Sequence, residues 1–212
     1  MQLVHAINKD DYTRRVQFCI DELSRIEANP LHLQFLLFSD EATFHINGHP
    51  VQSPKTTVWC GLWLEGIVGP FFFDGTVTGQ NYLTMLQREF LPELASLHMQ
   101  KEVCIFMQDG APPHLATETF PGRWMGRGSP TMPWPARSPD LTPCDFFLWG
   151  YVKSKVYSGQ VSSLQQLKAR IENAIRSLDI EILTRVFVEY RKRLQKCIDR
   201  RGHHIECWAD RD

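Results

Sequence analysis

The chain has 212 residues, 43% of them hydrophobic and 22% charged, which suits one well-buried globular domain and excludes a disordered tail or a fibre. Its net charge of -1 conceals a split, because residues 151 to 212 carry thirteen Lys/Arg against eight Asp/Glu, so a cationic face is expected at the C-terminal end. No apolar run is long enough to span a membrane, the first residues lack a basic, apolar leader, and six singly spaced cysteines suggest reduced buried thiols rather than zinc or disulfide chemistry, so a soluble intracellular protein is expected.

Residues 11 to 27 place Tyr12, Val16, Cys19, Ile20, Leu23 and Ile26 at helical spacing, and Asn29-Pro30 ends that helix. Gln34 to Phe38 is a continuous apolar run that reads as a buried strand delivering Asp40 near its end, with Phe44 to Ile46 continuing or re-entering the sheet. Thr57 to Trp63 and Ile67 to Phe73 are aromatic and β-branched, and a turn at Gly66 would join them into a meander. Thr78 caps a helix running to about residue 97 with Leu83, Leu86, Phe90 and Leu94 on one side. Val103 to Met107 is the next buried strand and ends at Asp109. Between His114 and Pro143 proline and glycine recur, and only Thr131 to Trp134 offers a short strand. Helices follow from Asp145, from the capping pattern Ser163-x-x-Gln166, and from Asp179 to Gly202.

This order predicts an α/β domain with a mixed sheet, an antiparallel meander followed by parallel strands and flanked by helices. The expected division is a helical lead-in over 1–30, the catalytic domain proper over 31–160, and C-terminal helices over 161–212 that complete it. Asp40 and Asp109, on adjacent parallel strands, would stand side by side. Mg²⁺ takes oxygen ligands and keeps several waters, so two or three carboxylates suffice for a catalytic site. Three aspartates from separate elements, Asp40, Asp109 and Asp145, meet that need, and two such ions stabilise the attacking and leaving oxygens of a phosphodiester displacement. Each aspartate also has an ordinary explanation: a turn or helix cap for Asp40, a turn pair for Asp109-Gly110, and a helix start for Asp145.

The words around them are more specific. Phe38-Ser-Asp-Glu-Ala-Thr-Phe44, Gly69-Pro-Phe-Phe-Phe-Asp-Gly75, Met107-Gln-Asp-Gly-Ala-Pro-Pro-His114, and Trp134 to Gly150 with its Ser138-Pro-Asp-Leu-Thr-Pro-Cys-Asp145 closely resemble the catalytic domain of mariner-type transposases of the Tc/mariner superfamily. The similarity runs from about residue 1 to about residue 206. It implies a ribonuclease H-like fold, a two-metal Mg²⁺ or Mn²⁺ site, DNA as partner, action in the nucleus, and strand cleavage followed by strand transfer. By position, Asp40, Asp109 and Asp145 match the three catalytic, metal-holding acids, and Asp140 is a neighbour without that role. His114, Arg123, Arg127, Arg137, Lys153 and Arg193 are candidate nucleic-acid contacts.

The chain also departs from the family pattern. Relatives place helix-turn-helix modules before this domain, whereas Met1 here begins almost at the catalytic region. They also insert a long extension between the first two strands, a clamp on the partner subunit, where this chain has only Asn47 to Thr56. Leu115 to Phe120 is short for a crossover helix, so incomplete packing is expected on that side. A truncated copy is therefore expected, with a weakened homodimer, and the alternative function is a catalytically inactive remnant or domesticated nucleic-acid-binding module.

Overall fold

The computed structural model describes residues 6–48, 53–97, 102–109 and 113–206. Helix α1 spans Lys9–Ala28 and is followed by a single turn, α2 (His32–Phe35). Strands β1 (Leu36–His45), β2 (Lys55–Trp63) and β3 (Gly66–Phe73) form the antiparallel meander. After α3 (Gly79–Met85), a π-helical turn over Leu86–Phe90 and α4 (Leu91–Ser96), β4 (Ile105–Gln108) pairs parallel with β1. Then come α5 (Pro113–Thr119), β5 (Trp124–Gly126) and β6 (Met132–Pro133), both strands parallel additions. The sheet order is β3-β2-β1-β4-β5-β6. A π-helical turn over Cys144–Leu148 leads into α6 (Trp149–Val156), and α7 (Leu164–Arg176) and α8 (Ile180–Asp199) follow. Among the described residues, no helix is long and apolar enough to cross a membrane.

Leu36, Leu37 and Phe38 are fully buried because β1 is central and covered on both faces, as its uninterrupted apolar run requires. Side chains alternate along a strand, so Phe38, Ala42 and Phe44 join the core beneath α6, α7 and α8. Leu37 points the other way, into a second, aromatic core with Trp59, Phe71, Phe90 and Phe106. Asp40 has the parity of Phe38 and so shares the face of the helical layer.

Of the two courses open to Phe44 to Ile46, the strand takes the continuing one: β1 runs past Asp40 to His45, which pairs with Lys55 across the β1–β2 ladder. Several expectations need correction. The stretch after His114 is more regular than expected: besides β6, which falls within the short strand expected over Thr131 to Trp134, it holds α5 and β5. Phe120 is packed there rather than left open, being 2% exposed and stacked on Phe106 with ring centroids 4.9 Å apart. The buried stripe of α1 is rotated from the expected one, containing Asp11, Arg15, Phe18, Cys19, Glu22 and Ile26, while Ile20 is 43% exposed. Charged side chains can occupy that stripe because each has a partner: Glu22 meets His32 at 2.9 Å, and Asp11 and Arg15 meet the loop before Cys144. Arg200 and Arg201 lie just past the end of α8 rather than within it. Cys19, Cys60, Cys104, Cys144 and Cys197 are free and buried, and Cys207 is outside the described residues.

Candidate active site

The parallel register between β1 and β4 matches Leu36 with Ile105 and Phe38 with Met107. Two residues further on each strand lie Asp40 and Asp109, so the ladder brings the two aspartates to one level. Asp145 comes from a different direction. The thiol of Cys144 donates to the carbonyl of Phe38 at 3.4 Å, which pins the π-helical turn against β1 two residues from Asp40. All three aspartates line one cleft of about 400 Å³, together with Ser39, Arg127 and Arg137.

The carboxylates differ in their surroundings. Burial pushes the Asp40 carboxyl up to about 6, and the nearby Asp109 charge acts in the same direction. The indole N–H of Trp149, donating at 2.7 Å, and the charge of Lys153 oppose that rise. Asp109 is raised as well, chiefly by burial, against the pull of Arg127, whose Nη2 stands 3.6 Å away. Behind Asp40, on the opposite face of β1, burial pushes Glu41 up to about 7, with Asp40 adding to the shift.

An oxygen-only donor set of this kind fits a hard divalent cation, which takes few protein ligands and fills its shell with water and phosphate oxygen. Two neighbouring carboxylates that each resist ionisation fit as well, because a cation between them would relieve both desolvation and repulsion. Among the described residues, however, no three acidic, His or Cys side chains converge into a complete ligand set. Asp40 faces an indole and Asp109 faces an arginine, so the acids share a cleft without closing on a common point.

The other predicted residues divide. Arg127 and Arg137 line the cleft. Lys153 lies on the exposed side of α6, one turn beyond Trp149, with Nζ 5.8 Å from the ring centre of Phe44. Arg123 is elsewhere: its Nη1 donates to the carbonyl of Cys104 at 3.0 Å, at the far end of β4 from Asp109. Arg193 is tied into the fold, donating to the carbonyl of Asp140 at 3.0 Å and to Glu206 at 2.5 Å, with its guanidinium 4.2 Å over Phe146. His114 belongs to the first turn of α5, and its side chain is outside the described residues. Asp140 stands apart from the cleft acids: although burial opposes ionisation, Arg15 holds its carboxyl below the ordinary range. Trp149 is the residue that sequence reasoning missed, since an indole in an aromatic run reads as core and only its neighbour in space, Asp40, distinguishes it.

No family model matches the chain. The Mariner Mos1 transposase of Drosophila mauritiana is 22% identical over 233 aligned residues, which cover 95% of this chain and 65% of the relative. The chain thus spans about two thirds of the length of that curated protein. The crystal structure of the catalytic domain of Mos1 mariner transposase superposes with a TM-score of 0.80 at 23% identity, covering 97% of this chain and 100% of that one. A Mos1 paired-end complex with left transposon end gives the same TM-score at 22% identity, over 97% of this chain and 66% of that one. Other solved structures of Mos1 in this group are described as complexes with Mn or Mg. The chain is similar along nearly its whole length to the mariner-type transposase catalytic domain, and it has that domain's ribonuclease H-like fold.

Proposed function

We propose that this chain is a transposase-like catalytic domain that cleaves DNA strands and joins the released 3′ end to a target, using Mg²⁺ or Mn²⁺. The observation that carries this reading is the meeting of Asp40, Asp109 and Asp145, from three separate elements, in one cleft. The three carboxylates would hold a pair of divalent ions, which supply charge neutralisation at the attacking and leaving oxygens. Asp40 contributes a carboxylate from the central strand β1, oriented by the Trp149 indole. Arg127 neutralises Asp109 before a cation arrives and is then free to turn to a phosphate oxygen, and Arg137 lines the same cleft. Lys153 extends the positive charge along the outer side of α6. DNA is the partner in this reading, the nucleus is its place of action, and a homodimer would bring two such clefts to paired ends.

The purified chain should nick supercoiled DNA in Mn²⁺, and Asp109→Ala should remove the nicking. Absence of any metal-dependent nicking in the unaltered chain would sink the proposal. A second reading, favoured by the acids' failure to converge and by the Asp109–Arg127 contact, is a nucleic-acid-binding remnant without catalysis. It predicts salt-sensitive DNA retention with no cleavage product, and loss of DNA retention at low salt would remove it.

A further inference from the structure

Helix α1 presents Asp11 and Arg15, one turn apart, to the segment that carries the third of the cleft acids. Asp11 Oδ2 accepts from Arg137 Nε at 2.6 Å. Arg15 is fully buried and forms a fork on Asp140, Nη1 to Oδ1 at 2.8 Å and Nη2 to Oδ2 at 2.7 Å. The same Nη1 reaches Ser138 Oγ at 2.7 Å and the Arg137 carbonyl at 3.3 Å. Two oppositely oriented ion pairs therefore bracket the segment 137–140 at its two ends, Arg137 and Asp140. Arg137 sits at a φ of 55°, a left-handed conformation that a non-glycine residue keeps only where its surroundings enforce it. The grip extends to the C-terminal turn, because Arg15 Nε donates to the Gly202 carbonyl at 2.8 Å and the Ile205 N–H donates to Asp140 at 3.0 Å.

A buried ion pair gives little net stability over an apolar replacement, and its best-attested use is to specify one arrangement among several. What is specified here is the wall of the cleft, since Arg137, Ser138, Pro139, Thr142 and Asp145 all line it. We propose that Asp11 and Arg15 are positioning residues that hold the 137–145 segment so that Asp145 is presented to Asp40 and Asp109. This deepens the metal-dependent reading and rests on it for its consequence, though not for its geometry. It also gives Asp140 a role: the acid that sequence places beside Asp145 is the anchor of the segment, while Asp145 faces the cleft.

Arg15→Lys keeps the charge and loses the planar fork, and Asp11→Asn keeps the shape and loses the charge. Amide hydrogen exchange should accelerate about tenfold in both variants at Leu141 and Asp145, whose N–H groups bond to Ser138 and Thr142, while amides of β1 and β4 stay as they were. Unchanged exchange in the segment, or equal acceleration throughout the sheet, overturns the proposal. Calorimetry with Mn²⁺ adds a second reading: Arg15→Lys should weaken binding about tenfold in the unaltered chain and leave it unaffected in an Asp145→Asn background. Additive losses would mean that Arg15 does not act through Asp145. If the unaltered chain binds no Mn²⁺, the metal-dependent reading fails, and the exchange result still decides whether α1 positions the segment. Should Arg15→Lys fail to fold, Asp11→Asn carries the same two measurements.

Discussion

At the scale of single residues, Asp40 makes the sharpest statement. Its ordinary value of 3.8 rises to about 6 in the folded chain, first through burial. Between those values the folded protein binds a proton that the unfolded chain has released, so stability falls as pH rises through that window and is level above it. A shift of this size corresponds to about 2 to 3 kcal/mol at most. Asp40→Asn retains an acceptor for the Trp149 indole and removes the charge, so it should raise the melting temperature of chelator-treated protein at pH 8, with the gain shrinking toward pH 4. Thermal denaturation across that range checks this, and an equal gain at both ends would refute it. Protons also compete with a cation for Asp40, so Mn²⁺ affinity should drop steeply below about pH 6. Glu41, pushed up to about 7 on the other face of the strand, supplies the control. Glu41→Gln should stabilise the metal-free chain in the same sense and leave Mn²⁺ titrations unchanged.

At the scale of elements, β4 and β5 matter most because their ends carry Asp109 and Arg127. Gly126 pairs with Gln108, and a Cβ added there would stand 2.5 Å from the Gln108 carbonyl oxygen and equally close to the Trp124 ring. Backbone on one side and a buried indole on the other leave no room to yield, so Gly126→Ala should destabilise by roughly 1 to 3 kcal/mol and displace Arg127 from Asp109. Urea denaturation measures the first effect, and loss of Mn²⁺-dependent nicking beyond the loss of folded protein measures the second. The longer elements were legible beforehand. The apolar runs before Asp40 and Asp109 read as buried strands, and the structure places both inside the sheet, while the caps at Thr78, Ser163 and Asp179 mark real helix starts. Strand β5 was not, because three residues are too few to show a period and it is held by its ladder to β4, whereas β6 falls within the short strand expected over Thr131 to Trp134. The rotated stripe of α1 escaped for another reason: Asp11, Arg15 and Glu22 look like a solvated face until their partners, more than a hundred residues away for the first two, are in place.

At the scale of the whole molecule, charge is divided so that the acids sit at the sheet ends while the last sixty-two residues carry an excess of Lys and Arg. Such a surface attracts a polyanion through counterion release, and each phosphate contact contributes about one to the slope of log affinity against log salt. The structure separates basic residues that are free to make that contribution from those that are committed. Lys153 is exposed on α6, and the side chain of Arg127 is 69% exposed at the cleft, 3.6 Å from the Asp109 carboxylate. Arg193 is 14% exposed and engaged by Asp140, Glu206 and the Phe146 ring. Lys153→Ala and Arg127→Ala should therefore each lower the salt slope of DNA binding by about one, with little change in melting temperature. Arg193→Ala should do the reverse, lowering the melting temperature and leaving the slope alone. Fluorescence anisotropy with a labelled duplex over a series of salt concentrations distinguishes the two classes. A fall in slope for Arg193→Ala as large as that for Lys153→Ala would mean that DNA draws Arg193 out of its contacts, which would move the nucleic-acid path from α6 to α8.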